Sequence, residues 1–115
     1  MNVYLKTVIV LILIDLCWLG TAGIFGRVMM ERIQGTPLQM RYGAGLIVYL
    51  FLAYLLLQTR SYRDAFMMGA AVYGVYEFTN LAVFEQWDWK FAVADTMWGG
   101  VLLVCARYIL KHVIN

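Results

Sequence analysis

Three carboxylic acids stand inside runs of apolar residues in this chain: Asp15, Glu77 and Asp95. An ionised carboxylate near the centre of a bilayer-spanning helix costs about 2.5–3.5 kcal/mol on insertion scales, so such a group turns toward other helices and finds partners. The residues around these acids carry donors. Trp18 follows Asp15 by one helical turn, Trp98 follows Asp95 in the same way, and Tyr73, Tyr76, Thr79 and Asn80 flank Glu77. Side chains of these types can hold and release a proton, bind a cation or polar solute, or do acid–base work on a bound molecule. Those nine residues form the candidate polar site.

The elements that must position them are helices in lipid. The chain has 115 residues, of which 63% are hydrophobic and only 14% charged, against about 25% charged in an average soluble domain. A soluble chain this short leaves much of its surface wet and could not bury so much apolar material. Four apolar stretches, about 3–23, 42–59, 65–84 and 90–110, each approach the ~20 residues that cross a hydrocarbon core as a helix. Continuous apolar runs exclude the alternating strands of a membrane barrel. Backbone pairing within each segment leaves helices as the choice. The expectation is an all-α, multi-pass membrane four-helix bundle, a single domain over 1–115. Between the first two spans, residues 24–34 alternate apolar and charged positions at helical spacing, which suits a helix lying flat in the interface. Pro37 then ends that stretch. Trp87 and Trp89 in the third connection read as aromatic-belt residues.

Lys6, Thr7–Ile14 and the small residues of 20–23 loosely fit a signal peptide, but Asp15 interrupts the apolar region, and the segment is expected to be a retained span. Lys6, Arg60, Arg63, Arg107 and Lys111 fall at one end of such a bundle and Arg27, Arg32, Arg41 and Lys90 at the other, which favours both termini in the cytoplasm. Cys17 and Cys105 lie on opposite sides of the midplane, roughly 13 Å apart in depth at 1.5 Å per residue. That is beyond the ~7 Å a disulfide spans, and both read as small core residues.

Alternating span directions place Asp15, Glu77 and Asp95 at one level, roughly 3–8 Å to the same, outer side of the midplane. Tyr73, Glu77, Asn80 and Phe84 fall at i, i+4, i+7 and i+11, one stripe of a helix, and Gly69, Ala70 and Gly74 allow a neighbouring helix to come close. Thr7 shares a face with Asp15 and Trp18. There is also an internal echo: Asp15 to Gly20 and Asp95 to Gly100 both read Asp-x-x-Trp-x-Gly. On antiparallel spans this is a short inverted repeat, a device found around midplane sites of transporters.

The Asp-x-x-Trp-Leu-Gly of Asp15–Gly20, the Tyr-Gly-x-Tyr-x-x-Thr-Asn-Leu-Ala of Tyr73–Ala82 followed by Trp87, and the Asp-x-x-Trp-Gly of Asp95–Gly99 resemble, in order and over nearly the whole chain, the DUF2177 family of small predicted membrane proteins. The resemblance implies four spans and a shared polar core and names no activity. Its pattern carries aspartate where this chain has Glu77, so charge is kept and reach is longer; the first loop is also trimmed.

Three functional readings stand beside one another, and each makes a structural demand. A proton, ion or small-solute pathway needs a hydrated route from the acids to the outer face. A lipid-modifying enzyme component needs a lateral opening between helices lined by Tyr73, Tyr76 and Trp98. A structural or accessory subunit needs a dry core with every acid bonded. Catalysis is the less favoured: no nucleophile–base pair is visible. Regularly spaced metal ligands are missing, no span carries a haem-ligating histidine or a retinal-linking lysine, and His112 sits at the C-terminal end. No cofactor or metal is expected. The net charge of +2 is scattered, which excludes a nucleic-acid face. Membrane lipid is the expected partner, with a homo-oligomer or a larger membrane complex as further assemblies.

Overall fold

The computed structural model describes residues 1–114, which form five helices and, among those residues, no strand. The first, α1 (Val3–Leu19), starts where the Asn2 side chain accepts the Leu5 amide at 2.8 Å. It stops at Gly20, short of the expected boundary at residue 23. There the Thr21 hydroxyl bonds back to the Cys17 carbonyl at 2.6 Å, and the chain turns by 73° into α2 (Ala22–Gln34). This is the helix expected over 24–34 in addition to the four apolar stretches, which makes five helices among the described residues. Gly35 closes α2 at φ 82°, a left-handed conformation that glycine adopts at little cost.

The remaining helices are α3 (Tyr42–Gln58), α4 (Tyr62–Val83) and α5 (Trp89–His112). Ser61 caps α4 by accepting the Asp64 amide, and Asp88 caps α5 by accepting the amides of Lys90 and Phe91 at 2.7 and 3.2 Å. At the far end of α3, Arg107 of α5 donates to the Thr59 carbonyl at 3.1 Å, placing a cation where the helix dipole is negative. By length and hydropathy α5 alone is sufficient to cross a membrane; α1 and α2 would pass together only as a broken span, and α3 is apolar but 17 residues long.

α5 is the axis of the packing. It runs antiparallel to α4, and the two touch through their backbones: a Cβ placed on Gly69 would strike the carbonyl of Gly99, and one on Gly100 would fall 2.6 Å from the Phe66 ring. α5 also runs antiparallel to α1. An aliphatic core of Val8, Leu11, Leu52, Leu56, Leu102 and Leu103 joins α1, α3 and α5 in the half nearest the termini. At the other end Met29 of α2, Trp87 and Ala92 form a second, smaller cluster, so α2 lies over the connection between α4 and α5. The outward faces stay apolar, with Leu13, Leu16, Ile47, Phe51, Val75 and Met97 all exposed, a surface matched to lipid rather than water. Cys17 is exposed among them, not in the core as expected, and both cysteines are free.

Candidate functional site

The repeated Asp-x-x-Trp motif closes on itself. An aspartate and the tryptophan three residues later share one helix face, and antiparallel pairing sets each aspartate against the other helix's tryptophan. The Trp98 indole donates to Asp15 Oδ1 at 2.8 Å, and Trp18 stands as the reciprocal side-chain neighbour of Asp95. Only the first pair tightens to a standard hydrogen bond. The two indoles stack between the acids, with ring centroids 5.0 Å apart and planes 6° from parallel.

Around this frame the acids differ in their partners. Asp15 accepts one bond on each oxygen from a neutral donor, Trp98 at Oδ1 and Tyr49 of α3 at Oδ2, the latter at 2.5 Å. Glu77 is wholly buried; the Trp87 indole donates to its Oε1 at 2.9 Å, while Oε2 has no donor. Asp95 is the side-chain neighbour of Glu77. Two carboxylates offer each other only acceptors, so that contact needs a proton or another donor between them. Among the described residues no lysine, arginine or histidine forms an ion pair with any of the three. The ion pair found among the described residues is Arg27–Glu31, on α2 at 3.7 Å.

These groups form the polar end of a cleft of about 500 Å³. Its lining draws on every helix: Asp15, Trp18 and Leu19 from α1; Gly23, Gly26 and Met30 from α2; Val48, Phe51, Leu52 and Leu55 from α3; Val72, Tyr73, Tyr76 and Glu77 from α4; Phe91 and Asp95 from α5. No lysine, arginine or histidine lines it. The cleft is open on the side where α3 scarcely meets α4, for Val48, Phe51 and Tyr76 are 52%, 67% and 51% exposed. Packing at Gly26, where a Cβ would collide with the Phe91 ring, lays α2 across its end.

Six of the nine candidate residues, Asp15, Trp18, Tyr73, Tyr76, Glu77 and Asp95, line this cleft. Trp98 supports it from behind through Asp15 and Trp18. Asn80 is half-buried beside Tyr76, and Thr79 is exposed and outside the site. Two donors escape sequence reasoning. Trp87 points inward to Glu77 with 6% of its surface exposed, rather than lying in the belt with the exposed Trp89. Tyr49 sits in a long apolar run where nothing local separates it from Tyr54. Among the described residues no three His, Cys, Asp or Glu side chains gather as a metal-ligand set.

The family model described as a predicted membrane protein, DUF2177, matches residues 1–109. No curated protein and no solved structure matches the chain.

Proposed function

The chain belongs to the DUF2177 family of predicted membrane proteins, and from that premise we propose that it is a multi-pass bundle whose lateral cleft takes in an amphiphilic molecule from the bilayer. In this reading α1, α3, α4 and α5 cross the membrane with both termini in the cytoplasm, and α2 lies in the outer interface. The chain of the amphiphile rests on Val48, Phe51 and Val72, and its polar end meets Asp15, Glu77 and Asp95. One observation carries the reading: buried, uncompensated acids lie at the inner end of an apolar cleft that opens sideways between α3 and α4. Its volume falls within the roughly 300–1,000 Å³ of small-molecule sites. Apolar walls with a few convergent polar groups are the usual composition of such sites.

Photolabelling tests this directly. A dodecyl chain carrying a diazirine, added to the protein in lipid nanodiscs, is expected to label Val48, Phe51, Val72 and Tyr76. Narrowing the mouth with Val72→Trp should remove that labelling. Label confined to outward positions such as Leu13, Ile47 and Val75 would sink the reading.

A second reading, proton movement through the bundle, draws on the facing carboxyls of Glu77 and Asp95. Proton flux into liposomes, present for the native chain and lost in folded Glu77→Gln, would favour it over amphiphile binding. Absence of flux from any folded form would remove it.

A further inference from the structure

We propose that the polar end of the cleft selects a primary ammonium head group on a single alkyl chain. This rests on the amphiphile-binding reading and names the chemistry of its ligand. Charge is the first ground. Three acids line the cleft and no base does, so a phosphate or carboxylate head would meet like charge with no cation to offset it.

The demand for donors is the second. Glu77 is 0% exposed and its Oε2 has no donor, although an orphaned buried acceptor is costly to leave unmade. Each carboxylate accepts about four hydrogen bonds, and Asp15 uses two. An ammonium brings three N–H groups and no acceptor. An alcohol brings one donor without the charge that roughly doubles a hydrogen bond's strength. A quaternary ammonium brings charge without any N–H. Geometry supplies the third ground. Among the described residues the three acids do not gather as a metal-ligand set, which suits an organic head over a bare ion. The rings of Trp18 and Tyr76 also line the cleft, and aromatic faces attract cations.

Competition against the diazirine label, on the native protein in nanodiscs, reads the head group without any mutation. Dodecylamine should displace the label at concentrations at least about tenfold below those of dodecanol, dodecyl phosphate or dodecyltrimethylammonium, since charge-assisted hydrogen bonds are roughly twice as strong as neutral ones. Asp95→Asn should erase that preference, bringing dodecylamine to the level of dodecanol; if this variant does not fold, the native series decides alone. Equal competition by all four compounds overturns the proposal while leaving the cleft occupied by chains, and a match between the trimethylammonium analogue and dodecylamine overturns it as well. Failure of the label to enter the cleft at all is a different result and removes the underlying reading instead.

Discussion

Along one side α4 touches α5 backbone to backbone at Gly69 and Gly99; along the other it scarcely meets α3. The first seam is made of glycines, with the Glu77–Trp87 bond just beyond it. The second faces a stretch of α3 rich in Leu, Tyr and Phe that stays exposed over much of its length. Lipid tails solvate such side chains as well as another helix does, so helices in a bilayer gain from contact only where small residues bring backbones close or where polar groups bond. One wall of the cleft is therefore closely packed, and the other is only sparsely in contact. That asymmetry is what makes a lateral opening beside buried acids physically reasonable.

The comparison is easiest to break at the closed seam. Gly69→Leu must displace the Gly99 backbone and is expected to cost about 3 kcal/mol, read by unfolding in detergent. Gly74→Ala is its control, because a Cβ there would meet Thr96 at an ordinary 3.4 Å and should change stability by less than about 0.5 kcal/mol. A Gly69→Leu protein as stable as native would mean that the seam is not close-packed. Next comes Trp87→Phe, which leaves buried Glu77 without its donor and should cost about 1–3 kcal/mol, whereas Trp89→Phe in the same connection should be near neutral. Equal effects would return Trp87 to the aromatic belt. The smallest effect belongs to the open seam. Truncating Phe51 to alanine should cost less than about 1 kcal/mol by the same measurement, far below the 3–5 kcal/mol typical of a core phenylalanine, because the residue is 67% exposed. A core-sized loss would show that α3 and α4 are packed together in the membrane.

Much of the site was legible because acids inside apolar runs are too costly to be incidental. Asp15, Glu77 and Asp95 stood out on that ground alone, and all three line the cleft. The Asp-x-x-Trp echo was visible as a repeat, but its meaning, two aspartates each set against the other helix's indole, needed the antiparallel pairing of α1 and α5. Thr79 was included for its nearness to Glu77, yet a two-residue step turns a helix by about 200°, to the opposite face. The periodicity that selected Tyr73 and Asn80 could have excluded it. Trp87 was misread because tryptophans at connections usually sit in the interface.

What the sequence determined by itself was local or cumulative: helices from continuous apolar runs and caps, family membership from motifs in order, and the acids from their cost of burial. The tertiary structure decided what depends on residues far apart in the chain. Tyr49 reaches Asp15 across 34 positions, Trp98 reaches it across 83, and the cleft exists only because α3 stands off from α4 while α5 does not. A side chain's partner depends on which helix faces it, and that is settled by the fit of whole surfaces, to which no single stretch of sequence has access.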